Sequence, residues 1–201
     1  MKKRIYLLLE TKKRELDSRI YFALLAANKN FSVVLGKKHS IYTKIKYFRK
    51  GITIFKSLGP KNLSIMKKFL NNNHKVVAWD EEGLTTTNAS IQSIRYDPRC
   101  IDLIEKLFLW GVKQKNILSK NIDQFKENLS KCLLTGHPRL DMIQYLSENY
   151  YGDRAKEINK KYGKFILITT KFPKANLIPN LVNVPPTKDW DWWREQKNNQ
   201  E

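Results

Sequence analysis

The chain has 201 residues, and its 38 Lys and Arg outnumber its 19 Asp and Glu, which gives a net charge of +19. A hydrophobic fraction of 41% and an aromatic fraction of 11% exclude a disordered tail and are sufficient for one sizeable core. No apolar run reaches the roughly 18 residues of a membrane-spanning helix, and the apolar stretch at residues 5–9 is shorter than the roughly 7–15 residues of a signal-peptide core.

Short apolar segments alternate with helical patterns through the first half of the chain. Strands are predicted where a segment is apolar throughout, at residues 5–9, 31–35, 52–55 and 75–79. Helical periodicity occupies the intervening segments, at residues 16–27, from His39 onward, and at residues 63–70. Apolar strands separated by helices are typical of a parallel sheet that is covered on both faces. The pattern therefore predicts an α/β fold with a Rossmann-like, doubly wound parallel sheet.

The second half continues this alternation. Strands are predicted at residues 106–110 and 131–135, and helices at residues 111–118, 123–128, 136–146 and 153–161. Pro138 suits the first position of its helix. A further apolar segment, residues 164–170, predicts the first strand of a second domain that is cut off, followed by an irregular, proline-broken tail. We therefore place the domain boundary after residue 150, with the first domain at residues 1–150 and the start of the second at residues 151–201.

The basic residues allow two interpretations. Lys and Arg are spread along the chain, which is typical of a solvated surface. The alternative is an electrostatic footprint for an anionic partner, either a membrane face or nucleic acid, and residues 36–50 (GKKHSIYTKIKYFRK) are its best candidate. Because no zinc-finger, RNP or helix-turn-helix pattern accompanies them, nucleic acid is the less favoured partner.

The two cysteines bear on the compartment. Cys100 and Cys132 lie in or beside apolar stretches without paired spacing, which favours buried free thiols over a disulfide. Free thiols suit a reducing cytoplasm. We therefore expect a cytoplasmic protein, with the anionic inner-membrane surface as a candidate peripheral contact.

Three consecutive carboxylates interrupt the otherwise basic chain in the segment VAWDEEGLT. Asp80, Glu81 and Glu82 directly follow the predicted strand at residues 75–79. Ligands of an open parallel sheet bind outside the carboxyl ends of the strands, so these side chains are candidates for a general base. The alternative is an acidic loop that caps the next helix.

Other polar residues follow strand ends at the same predicted edge. They are Glu10, Arg14, Asp17, Gly136, His137 and Arg139. Helix capping and surface pairing are the alternatives for Glu10 and Arg14, and a solvated loop histidine is the alternative for His137. The three histidines stand in unrelated contexts, so we expect no metal site. No P-loop, GxGxxG or GxSxG pattern is present.

Four segments together resemble a family of bacterial surface carbohydrate biosynthesis proteins, which are similar to glycosyltransferases with two Rossmann-like domains (the GT-B type). The segments are ETKKRELDSRIYFALLAANKNFSVVLG, VVAWDEEGL, LWG and LLTGHPRLDM. TGHPRLDM is close to the Thr-Gly-Asn-Pro-Arg-x-Asp signature of that family, with His137 in place of the usual Asn. A related signature occurs in sugar-nucleotide 2-epimerases of the same fold, so that an epimerase-like enzyme is the alternative.

The resemblance implies the roles of the two domains. The N-terminal domain would hold a glycan or lipid-linked acceptor for polysaccharide or lipopolysaccharide synthesis, and the C-terminal domain the nucleotide-sugar donor. Donor and acceptor would be substrates, with no cofactor. Since residues 164–170 would be the first donor-domain strand, the chain would be an N-terminal fragment that is inactive alone.

The same resemblance gives roles to the side chains at the edge. Asp80, Glu81 or Glu82 would serve the acceptor hydroxyl as base, while Arg14 and Arg139 would bind anionic acceptor groups. Replacing Glu81 or Glu82 by Gln should then lower turnover with little change in melting temperature. A basic nucleic-acid-binding module is the alternative from another class.

Overall fold

The computed structural model describes residues 2–81 and 95–168. The chain separates into two compact units, Met1–Ala155 and Lys156–Glu201. Six strands form one sheet in the described part of the first unit. They are β1 (Arg4–Leu9), β2 (Ser32–Lys37), β3 (Ile52–Phe55), β4 (Lys75–Trp79), β5 (Lys106–Leu109) and β6 (Cys132–Leu134).

Helices connect these strands and continue beyond β6. They are α1 (Lys12–Asn28), α2 (Lys38–Lys44), α3 (Leu63–Asn71), α4 (Pro98–Leu103), α5 (Val112–Asn121), α6 (Asp123–Glu127), α7 (Pro138–Leu146) and α8 (Gly152–Tyr162). Short 3₁₀ turns occupy Ile45–Tyr47, Pro60–Asn62 and Leu129–Lys131, and one π-helical turn, Ser147–Tyr151, follows α7.

The sheet is parallel throughout and has the strand order β2-β1-β3-β4-β5-β6. The chain runs outward from β1 to β2, then crosses back over β1 to β3 and continues in the opposite direction. Since parallel crossovers are right-handed, this reversal places helices on both faces of the sheet. The predicted α/β class with a Rossmann-like, doubly wound sheet is confirmed.

Each face of the sheet lies against its own hydrophobic core. Neighbouring strand residues point to opposite faces. Leu7 and Trp79 pack with Phe22 of α1, whereas Leu8 and Ala78 belong to a larger cluster with residues of α2 to α6. Each fully buried side chain of this kind contributes about 1.5–3 kcal/mol, which is why continuous apolar strands specify a sheet covered on both sides.

One short helix was not predicted. Asp97 caps α4 by accepting a hydrogen bond from the Arg99 backbone N–H at 2.9 Å, and Pro98 occupies the first helical position. These are strong local start signals. The helix has only six residues, however, which is too short for a hydrophobic period to show.

The strand predicted at residues 164–170 is not formed in its described part. Residues 164–168 are irregular, and within the described chain no neighbouring strand pairs with them. Gly163 ends α8 in the left-handed region, with φ of 65°. The Phe165 to Ile168 side chains that follow are exposed. An apolar segment becomes a strand only where a partner accepts its backbone hydrogen bonds.

Candidate functional site

A cavity of about 600 Å³ lies at the carboxyl edge of the sheet. It is formed where β4 and β6 end and where α1 and α7 begin, because parallel strands bring their carboxyl ends to one side. Its polar lining includes Arg14, Asp17, Glu81, His137, Arg139 and Tyr151. We call it the edge cavity. Five of the sequence-predicted site residues therefore meet in one concave surface.

Glu81 is the buried carboxylate of the edge cavity. Its side chain and that of Arg19 are each 1% exposed, and the Arg19 guanidinium donates to Glu81 Oε1. Glu81 Oε2 accepts no hydrogen bond from the described residues and lies 3.9 Å from Arg139 Nε. One oxygen is thus held by the Arg19 guanidinium, and the other is buried without a hydrogen bond from the described residues.

The turn after β6 holds the backbone of Glu81 in place. His137 Nε2 donates to the Glu81 carbonyl oxygen at 3.0 Å, and Arg139 Nη2 donates to the same oxygen at 2.7 Å. The Arg139 backbone N–H donates to His137 Nδ1 at 3.3 Å, which assigns the ring proton to Nε2. His137 is buried and hydrogen-bonded, so the alternative interpretation of this residue as a solvated loop histidine is wrong.

Gly136 allows this turn to form. Its φ is 81°, in the left-handed region that favours glycine. A Cβ added there would lie 3.2 Å from Asp141 Oδ1. Gly136 therefore shapes the turn that presents His137 and Arg139.

The first turns of α1 form the opposite wall of the edge cavity. The Arg14 side chain is 45% exposed and donates to Glu15 Oε1 at 3.3 Å. The Asp17 carboxylate, which also lines the cavity, raises the pKa of Tyr150 by its charge. This wall offers two cations, Lys13 and Arg14, and one anion, Asp17, to a ligand.

Asp80 lies outside the edge cavity. Its buried carboxylate accepts hydrogen bonds from Tyr96 Oη at 2.5 Å, Gln114 Nε2 at 2.8 Å and Arg95 Nη2 at 2.9 Å. Burial first, and then the Asp80 charge, raise the pKa of Tyr96 well above its ordinary value. This network ties β4 to α5, so the catalytic role predicted for Asp80 does not fit its position. Glu82 lies outside the described residues.

Glu10 belongs to a neighbouring cavity of about 320 Å³, near the point between β1 and β3 where the strand order reverses. Its two oxygens pair with Lys38 and with Lys56, whose Nζ lies 2.8 Å from Oε2. Lys56 also lies 2.7 Å from Oε1 of the buried Glu15. Burial alone would raise the pKa of Glu10, but hydrogen bonds from the two lysines outweigh it and lower this pKa to about 2. Glu10 therefore joins the end of β1 to the start of α2 and the end of β3, and it lines a different cavity from Glu81.

The depressed pKa of Glu10 leads to a pH-dependent contribution to stability. Because the ordinary pKa is 4.5 and the folded-state pKa is about 2, this contribution is present above about pH 4.5 and is lost as the pH falls towards 2. We expect Glu10→Gln to be less stable than the native chain near neutral pH. The difference in unfolding free energy, measured by urea titration, should shrink below pH 4.5. A difference that stays constant with pH would show that the lysines do not hold Glu10 ionised.

Arg19 is the main residue of this region that was not predicted as a site residue from the sequence. It faces the sheet with Glu15, Ser18, Phe22 and Ala26, and the polar members of this stripe are buried. Glu15 and Arg19 are one helical turn apart. Charged residues on the stripe that also carries Phe22 and Ala26 are the sequence signal for buried ion pairs.

Within residues 2–81 and 95–168, no group of three or more His, Cys, Asp and Glu side chains is placed to hold a metal ion. In the same ranges, no helix is both long and apolar enough to cross a membrane. Comparison of the chain with protein-family models, curated proteins and solved structures finds no match.

Proposed function

We propose that the chain is the acceptor-side domain of a GT-B-like glycosyltransferase that acts in bacterial surface polysaccharide or lipopolysaccharide synthesis. The observation that supports this most is the position of Glu81. Its second carboxylate oxygen has no hydrogen bond from the described residues, and the residue lines a cavity at the carboxyl edge of a parallel sheet. The cavity volume of about 600 Å³ suits a ligand of a few sugar rings.

The proposed reaction is the transfer of a sugar from a nucleotide-sugar to a hydroxyl of a glycan or lipid-linked acceptor. The acceptor oxygen forms a bond to the anomeric carbon, and the bond from that carbon to the phosphate oxygen breaks. The nucleotide leaves with the electron pair, and the hydroxyl proton passes to Glu81 Oε2. A positioned general base of this kind contributes about 10²–10⁴-fold to the rate.

The other residues of the edge cavity divide into binding and positioning roles. Arg14 stands partly exposed in the cavity wall, where it can pair with a phosphate or carboxylate of the acceptor. His137 and Arg139 both bond the Glu81 carbonyl oxygen, so we assign them to positioning the base. Asp80 holds β4 against α5 and is not part of the reaction.

The proposal is tested with the enzyme that the natural reading frame encodes. It is incubated with radiolabelled UDP-, GDP- or CMP-sugars, with and without an extract of bacterial membrane lipids as acceptor. We expect label to enter the lipid fraction with one of these donors, and only when the extract is present. No transfer with any donor would contradict the proposal.

The same incubations separate transfer from the epimerase-like alternative, which rests on the TGHPRLDM segment. An epimerase changes the configuration of the donor sugar without an acceptor. Chromatography of the donor after incubation without the lipid extract should therefore return the sugar unchanged. An epimerised donor would overturn the transferase assignment.

A further inference from the structure

One long part of the chain carries charge of a single sign. Residues 18–79 contain thirteen Lys and Arg and no Asp or Glu. This segment runs from α1 to β4 and supplies β2, β3 and β4, which together with β1 are the first four strands in the order of the sheet. The positive charge is therefore concentrated at one side of the fold, although Lys and Arg also occur elsewhere.

Six of these side chains lie on α2, on α3 and between α2 and β3. We call them the basic face: Lys44, Lys46, Arg49, Lys50, Lys67 and Lys68. All six residues are exposed. Lys68 Nζ donates to the Tyr42 carbonyl oxygen at 3.2 Å, which places α3 beside α2. No carboxylate of the described residues forms an ion pair with any of the six, so no ion pair in this part of the chain neutralises their charge.

The basic face lies apart from the two cavities described above. None of its six residues lines the edge cavity or the cavity beside Glu10. Charges that are dispersed over two helices and a turn fit an extended anionic surface better than a compact ligand. Tyr47 lies among them, 75% exposed, with Lys46 Nζ 4.9 Å from the centre of its ring.

We propose that the basic face docks the protein on an anionic lipid surface. Lysines and arginines close to such a surface are attracted to its headgroups, and their contributions accumulate with the number of side chains. An exposed tyrosine ring among them suits the headgroup level of a bilayer, where its apolar body and its hydroxyl are both accommodated. This docking is separate from the edge cavity and does not depend on the proposed transfer reaction.

The test measures sedimentation of the 201-residue chain with vesicles. Vesicles that contain phosphatidylglycerol should bind it, vesicles of phosphatidylcholine alone should not, and added salt should release it. We expect the triple replacement Lys44→Ser, Lys46→Ser and Arg49→Ser to weaken binding to phosphatidylglycerol vesicles about a hundredfold. Circular dichroism verifies that the variant is folded.

A matched control removes the same charge from another region. Lys113, Lys115 and Lys120 lie on α5, beyond β5 in the sheet. Their replacement by Ser should leave vesicle binding close to that of the native chain. Equal losses of vesicle binding in the two variants would show that binding depends only on net charge. That result would contradict the proposal that the basic face is a docking surface. Binding of duplex DNA or RNA, without vesicle binding and with the same dependence on residues 44, 46 and 49, would assign the surface to nucleic acid instead.

Discussion

Replacing Arg19 by Met is expected to lower the free energy of unfolding by about 3–5 kcal/mol. Arg19 and its partner Glu81 are both 1% exposed, so the replacement leaves a buried carboxylate without its guanidinium. Met keeps an unbranched aliphatic stem over the Trp79 ring, where the Arg19 guanidinium lies 5.8 Å from the ring centre. The loss is therefore expected to come from the unpaired charge more than from packing, and urea unfolding measures it.

A double-mutant cycle separates these two causes. Glu81→Gln alone should also destabilise the protein, because it leaves the Arg19 charge buried. The double variant Arg19→Met/Glu81→Gln should be more stable than either single variant, since no isolated charge remains. Additive losses would mean that the two side chains do not act as a pair. The buried ion pair thus leads to a different expectation from the sequence, which predicted that changes at Glu81 leave the melting temperature nearly unaltered.

The strands were predictable because they are apolar on both faces. The predictions for β3 and β4 match the observed bounds, residues 52–55 and 75–79. The end of β2 was placed too early because Gly36 and Lys37 are poor strand formers by composition. Both residues are nonetheless paired, with Leu8 and Leu9 of β1. Pairing with a neighbour, which a single segment does not reveal, decided that boundary.

The meeting of β4, β6 and α1 at one edge was also predictable, since it follows from parallel strands. The different surroundings of Asp80 and Glu81 could be predicted only by following the alternation of side chains along β4. Ala78 and Trp79 face opposite cores, and the alternation continues past the strand. Asp80 accordingly turns to Tyr96 and Gln114, and Glu81 turns to Arg19 of α1.

The hydrogen bonds around His137 could not be derived from the sequence. They depend on the left-handed turn at Gly136, which directs the side chains of His137 and of Arg139 in the first turn of α7 to the Glu81 carbonyl oxygen, 56 residues from His137. A sequence motif shows which residue types are present. It does not show whether they bind a ligand or each other.

The turnover of Glu81 variants tests the proposed base most directly. The informative comparison is between Arg19→Met, which keeps the carboxylate, and Arg19→Met/Glu81→Gln, which lacks it. The double variant is expected to be the more stable of the two, so a loss of activity in it cannot result from unfolding.

The measurement is kcat for sugar transfer, at a temperature where circular dichroism shows both variants folded. If Glu81 accepts the acceptor proton, the double variant turns over about 10²–10⁴-fold more slowly than Arg19→Met, although it unfolds at higher urea concentration. Equal kcat values in the two variants would contradict the account, because the carboxylate would then serve only to neutralise Arg19.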